Sequence, residues 1–156
     1  MHITIVAVGQ KLPAWAQTAV DDYLARFPRD FTVIVKEVKA EARTGGKPVA
    51  QVMAAEAERI ERAVPAGDIL VAMDEHGRDM TTVDFSKKIS CWKNEGCGVT
   101  FIIGGADGLD PALKAKSRMM LRLSSMTLPH AFARVLLTEQ IYRAWSILAN
   151  HPYHRV

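Results

Sequence analysis

The chain has 156 residues, 49% of them hydrophobic, and a net charge of +3. That suits one domain over residues 1–156 with a real core, and it is too apolar for a disordered tail. No apolar run approaches a membrane span, and Met1-His2-Ile3-Thr4-Ile5 has no basic stretch ahead of a long apolar one, so a cytoplasmic location without a membrane partner is expected.

Ile3–Val8 is a β-branched apolar run ended by Gly9, the pattern of a buried strand. Pro13 opens a helix in which Trp15, Ala19, Tyr23 and Phe27 recur every fourth residue, predicting an apolar stripe, and Pro28 ends it. Phe31–Val38 reads as a second strand. Lys39–Lys47 is charged, contains Gly45-Gly46 and reads as a surface loop, with contact to RNA phosphates as the alternative. Pro48 opens a second helix carrying Val49, Val52, Met53, Ile60 and Val64 on one side.

Ile69–Met73 is a third strand, running into a polar turn, Asp74-Glu75-His76-Gly77-Arg78. Thr81 and Asp84 have capping-box spacing ahead of a helix bearing Phe85, Ile89 and Trp92. Cys91 and Cys97 fit neither a zinc knuckle nor a CxxC pair and read as reduced thiols. Val99–Ile103 is a fourth strand, followed at once by Gly104-Gly105-Ala106-Asp107-Gly108. Asp110-Pro111 reads as the N-cap and first residue of a short helix, and Met119–Leu123 as a fifth strand. Small hydroxyl residues then alternate with apolar ones from Leu123 to Pro129. Pro129 is expected at the first position of a helix with Leu137, Ile141, Trp145 and Leu148 along one side. Phe132, Val135 and Leu136 point elsewhere. One sheet face cannot cover both sets, which predicts a symmetric homodimer through this helix.

Alternating strands and helices predict an α/β domain whose mostly parallel sheet is covered on both faces. Ligands bind such sheets outside the carboxyl ends of the strands. Three polar or glycine-rich segments are expected there: Met73–Arg78, Gly104–Gly108 and Ser124–His130. The glycine run is neither GxGxxG nor a P-loop. It reads equally as main chain approaching a ligand or as a tight turn needing positive φ. From Lys114 onward seven Lys or Arg (Lys114, Lys116, Arg118, Arg122, Arg134, Arg143, Arg155) stand against one acid, Glu139. That balance points to an anionic partner, nucleic acid first, with a solvated basic face as the equal alternative.

Four segments in order carry a resemblance: Ile103–Leu109, Leu123–His130, Tyr142-Arg143-Ala144-Trp145-Ser146, and Asn150-His151-Pro152-Tyr153-His154-Arg155. Together they resemble the SPOUT class of knotted methyltransferases, in its branch acting on large-subunit ribosomal RNA, and the likeness runs from Val6-Ala7-Val8-Gly9 to the C-terminus. The resemblance implies an α/β fold with a mostly parallel five- to six-stranded sheet, helices on both faces and a C-terminal trefoil knot. It implies S-adenosylmethionine-dependent methylation of N3 of a pseudouridine in 23S rRNA, within the assembled ribosome, by a homodimer. It places the cofactor against Met73, Gly104, Gly105, Leu123, Ser124, Ser125, Met126, Thr127 and Leu128. It makes the tail a substrate clamp that reaches across the dimer: Arg155 on phosphate, Tyr153 stacked on a base, His154 as hydrogen-bond partner or base, joined by Arg143. Arg143 has a plainer alternative as the helical partner of Glu139, four residues earlier. No metal is implied. Two departures stand out: Ala106-Asp107 replaces the family's usual Pro-Glu, and Met73 stands where Leu is common. A non-catalytic RNA- or ribosome-binding module of the same fold is the alternative. A nucleotide-binding oxidoreductase is disfavoured by the missing GxGxxG after the first strand.

Overall fold

In the computed structural model, which describes residues 1–9 and 11–154, the elements in chain order are β1 (His2–Val8), α1 (Ala14–Leu24), β2 (Thr32–Val38), α2 (Val49–Ala63), β3 (Ile69–Arg78), α3 (Thr82–Asn94), β4 (Val99–Ile103), α4 (Pro111–Lys116), β5 (Met119–Leu121) and α5 (His130–Leu148). The strands pair in parallel in the order β2-β1-β4-β3-β5. β1 and β4, the continuous apolar runs, lie inside the sheet and are buried on both faces.

Strand alternation divides the core in two. Ile3, Ile5, Val71, Val99 and Phe101 face Phe85, Ile89 and Trp92 of α3 and Leu137 and Ile141 of α5. Val6, Val8, Ala72 and Ile102 point the other way, onto Ala57 and Ile60 of α2 and Leu113 of α4. α1 joins α5 on the first face through Ala16 and Val20. Phe85 and Trp92 meet Phe101 edge-on at 5.9 and 6.3 Å, each such pair adding about 0.5–1.5 kcal/mol beyond burial.

Local chemistry sets the helix ends. Thr81 Oγ1 accepts from Asp84 N at 3.1 Å, and Asp110 Oδ2 accepts from Ala112 N and Leu113 N. Pro13, Pro48 and Pro129 are N-caps, with ψ of 151°, 143° and 149°, so each helix starts one residue later than expected. The proline ring fixes φ but leaves ψ free to be extended, and the carbonyl still accepts the first helical bond.

Four further expectations shift. α1 buries Ala16 and Val20, while Trp15 is 50% exposed, so the stripe lies one residue off the expected one. Close approach to α5 favours the small residue, and Trp15 packs instead on Phe132 at 4.9 Å, itself half exposed. The helix stops at Leu24, and Phe27 stacks on Phe31 at 5.7 Å from outside it. Asp74–Arg78 is no turn: β3 continues through it, and its pairing with β5 shifts register between Met73 and Arg78. Gly77 makes that possible, since a Cβ there would lie 2.6 Å from the Leu121 carbonyl carbon. β5 itself ends at Leu121, two residues early. Among the described residues, no helix is long and apolar enough to cross a membrane.

Candidate active site

The parallel register brings the ends of β1, β3, β4 and β5 to one edge, and the loops leaving them build a pocket there. The glycine loop after β4 closes on itself: Gly108 N donates to Gly105 O at 3.0 Å, and Gly108 has φ of 83°. A Cβ on Gly104 would sit 2.5 Å from the Gly108 carbonyl carbon, and one on Gly105 would sit 3.0 Å from the buried Glu56 carboxylate. Both the turn and the close packing therefore require these glycines. Asp107 forms an ion pair with Arg43, tying the glycine loop to the 39–47 segment. The short carboxylate that departs from the family pattern thus has a partner of its own.

Two adjoining cavities hold the expected cofactor residues. One is lined by Met73, Gly104, Gly105 and Leu128, together with Asp74, Glu75, Asp107 and Lys114. The next is lined by Met73, Leu123, Ser124, Met126, Thr127 and Leu128. Ile103 and Ala133 line both. Ser125 lines neither and is exposed. Ser124 Oγ accepts from Met126 N at 2.9 Å, which curls the 123–128 loop inward. Burial would raise the Asp74 carboxyl, but the His76 N–H and the Lys114 ammonium hold it below its ordinary value. It is ionised, and the cavity carries more carboxylate than ammonium.

Two residues stand out to which the sequence reading gave no role, although His130 ends one of the expected segments. His130, the first residue of α5, lines the cavity, and its Nε2 is buried without a hydrogen-bond partner among the described residues. Arg134, one turn on, is 3% exposed; Nη2 donates to Glu37 Oε1 at 2.9 Å, while Nη1 has no partner. Burial first, then the Arg134 charge, push His130 below the ordinary imidazole value, with Glu37 opposing.

The tail lies elsewhere. Arg143 Nε donates to Glu139 Oε1 at 2.8 Å, and its guanidinium sits 5.0 Å over the Tyr153 ring. The Tyr153 hydroxyl donates to Glu139 Oε1 and meets the Tyr23 hydroxyl, each at 3.0 Å. Burial and these partners push the Tyr153 phenol well up. Tyr142 packs edge-on to Tyr153 and Phe27 and stacks on Trp145. His154 Nδ1 is buried without a partner among the described residues; Arg155 lies outside them. Arg143, Tyr153 and His154 line neither of these two cavities. Arg143 follows His130 by thirteen residues on one helix, which separates them by roughly 20 Å along its axis.

The described cations of the C-terminal third are not a free basic face. Lys114 pairs with Asp74, Lys116 with Glu61, Arg118 with Glu95, Arg122 with Asp79, Arg134 with Glu37 and Arg143 with Glu139. All but the last pair use acids from earlier in the chain. The charge count of this segment therefore does not itself carry an RNA reading.

Comparison with known proteins adds the relationship. A family model described as "Predicted SPOUT methyltransferase" matches residues 1–154. The chain is 55% identical over 155 residues to the ribosomal RNA large subunit methyltransferase H of Bordetella avium, covering 99% of each. It is 53% identical over 156 residues to the protein of the same name from Ralstonia pickettii, covering 100% of each. Among solved structures, one described as a probable methylase family protein from Haemophilus influenzae matches at a TM-score of 0.61 and 15% identity, over 99% of this chain and 70% of that one. At that identity the likeness concerns the fold alone.

Proposed function

The chain belongs to the SPOUT methyltransferase family, and on that premise we propose that it methylates N3 of a pseudouridine in 23S rRNA of the large ribosomal subunit. It is an S-adenosylmethionine-dependent enzyme of the rRNA methyltransferase kind, and the observation that carries the reading is identity from end to end with relatives named for that activity.

The residues at the strand edge fit the cofactor. Met73, Ile103 and Leu128 offer apolar walls for a flat adenine, with main-chain groups of the 123–128 loop at its edge. Asp74, Glu75 and Asp107 suit a ligand with a positive centre, and Lys114 balances its carboxylate. When bound, S-adenosylmethionine supplies an activated methyl group on sulfur. The protein's own work is to position the acceptor, exclude water and take up the N3 proton.

Within one protomer Arg143 and Tyr153 are committed to Glu139 and Tyr23, far along α5 from the cofactor cavity. A clamp made of Arg143, Tyr153, His154 and Arg155 therefore calls for a second copy. Trp15, Phe132, Leu136 and Leu148 are large, apolar and exposed on α1 and α5, and they support a homodimer through these helices. The same premise supports a trefoil knot formed by the segment after β5.

Purified protein given labelled S-adenosylmethionine and unmodified 50S subunits or 70S ribosomes should label one pseudouridine of 23S rRNA, located by nuclease mapping and mass spectrometry. A folded, cofactor-binding protein that labels no rRNA would support the non-catalytic module instead. Sedimentation at micromolar concentration should show a dimer, and a monomer would remove the shared clamp.

A further inference from the structure

Gly105, Ala106 and His130 line the cofactor cavity on one side and a second pocket on the other. The second pocket has apolar walls from Val8, Leu12 and Ala40 and cations at its rim from Lys11 and Arg43. Its volume is about 610 Å³, inside the range of roughly 300–1,000 Å³ usual for small-ligand sites. The shared wall is thin in both senses: two residues of main chain without bulk, and one imidazole.

That imidazole carries an Nε2 unpaired among the described residues. A buried ring nitrogen without a partner is uncommon and asks for a reason. Nε2 looks toward Gly9, where a Cβ would come within 4.0 Å of it. Gly9 has φ of 135°, a conformation open to glycine, so this position places no side chain against the buried Nε2.

We propose that the second pocket receives the target base and that His130 Nε2 accepts its N3 proton. The inference rests on the methyltransferase reading above and gives that site its acceptor pocket and its base. A uracil-type ring is flat and apolar on its faces, which suits Val8, Leu12 and Ala40. Its reacting edge is an imide N–H between two carbonyls, which requires an acceptor at the cofactor wall. Lys11 has no ion pair among the described residues and is placed for the flanking phosphate.

The electron count closes. The N3–H bond breaks and its proton goes to Nε2, making an imidazolium; the electron pair stays on N3. N3 bonds to the methyl carbon as the carbon–sulfur bond breaks, with that pair left on sulfur. The imidazolium then gives its proton to solvent.

The surroundings keep the ring neutral and ready. Arg134 follows it on α5, with Glu37 of β2 beyond. Lys11, Glu41 and Arg43 lie across the second pocket, and Glu56 of α2 stands behind Gly105. On the cofactor side are Asp74, Glu75, His76, Asp107 and Lys114. Burial and Arg134 set the direction, downward from the ordinary value.

The test uses the full dimer on ribosomal subunits. His130→Gln should lower kcat by about 10²-fold, with S-adenosylmethionine affinity by calorimetry unchanged. The wild-type rate should fall in acid with an apparent pKa below ~6.5, and His130→Gln should lose that limb, whereas His154→Ala should keep it. NMR titration of histidine-labelled wild-type protein should find His130 titrating below the same value, a readout that needs no variant to fold. A His130→Gln rate within about threefold of wild type, an acid limb that vanishes with His154, or a His130 titrating at or above its ordinary value would each overturn the inference. A wild-type protein that transfers no methyl group to rRNA would remove the function reading as well; an active wild type beside a fully active His130→Gln would remove this inference alone.

Discussion

The two ends of α5 are built on opposite terms. At its start, His130 and Arg134 leave a ring nitrogen and a guanidinium nitrogen without partners, beside open cavities. At its end, Arg143, Glu139, Tyr153 and Tyr23 satisfy one another, Tyr142, Trp145 and His151 pack around them, and His154 Nδ1 is left without a partner among the described residues. Unsatisfied polar groups are costly in a protein interior, so the first end bears a cost that a bound ligand or water would relieve. The second end is what a stable helix terminus looks like. Rich chemistry in the sequence therefore does not mark the reactive end; incomplete bonding beside an open cavity does.

The largest expected effect strikes the closed end. Tyr142→Ala removes a side chain that is 5% exposed and touches Phe27, Tyr153 and Trp145. Denaturant unfolding should show a loss of about 3–5 kcal/mol, with cofactor affinity per folded molecule unchanged. A parallel loss of affinity would mean that the two ends are coupled. At the open end, Leu128→Ala should weaken S-adenosylmethionine about tenfold in calorimetry, the value of one apolar contact, while melting temperature barely moves. A large fall in melting temperature would make Leu128 a core residue instead. Next comes the Arg143–Glu139 pair, which is half-buried and spaced for a helix. A double-mutant cycle with Arg143→Ala and Glu139→Gln should give a coupling of about 1 kcal/mol or less.

The smallest effect concerns pH. His130 has its folded pKa below the unfolded value, so the unfolded chain binds the proton first as acid is added. Stability should then fall as pH drops below ~6.5 and level off below the folded pKa. His130→Gln should flatten that part of the curve; an unchanged curve would mean the ring is not held neutral by the fold.

Most of the architecture was legible. Parallel strands buried on both faces are continuous apolar runs, and Ile3–Val8 and Val99–Ile103 were both readable from composition. Where pattern failed, packing between helices had decided. Trp15, Ala19 and Tyr23 make a regular stripe, but α5 comes close enough to α1 to prefer Ala16. The basic C-terminal third looked free because four of its six described partners are acids in the first eighty residues and one is Glu95, distances a linear count cannot see. Of the cofactor residues expected from resemblance, the structure brings Met73, Gly104, Gly105, Leu123, Ser124, Met126, Thr127 and Leu128 to adjoining cavities and leaves Ser125 outside. His130 was in plain sight within the same motif. A lone histidine at a helix start carries no signal until its neighbours show that nothing bonds it.

One feature of the sheet reaches beyond the site. β1, made first, is flanked by β2 and by β4, and Ile3 pairs with Val99. The central seam of the sheet therefore joins segments separated by nearly two thirds of the chain. During synthesis the first strand has one neighbour available early and the other only after β4 has emerged. Until then its second edge stays open to wrong partners. Nonlocal closure of this kind is slow, in the range of milliseconds to seconds, and the exposed edge is a template for association. The same register that assembles the pocket thus makes the newborn chain dependent on late arrival, and pulse proteolysis of stalled nascent chains should find protection appearing only once residues past Ile103 have left the exit tunnel.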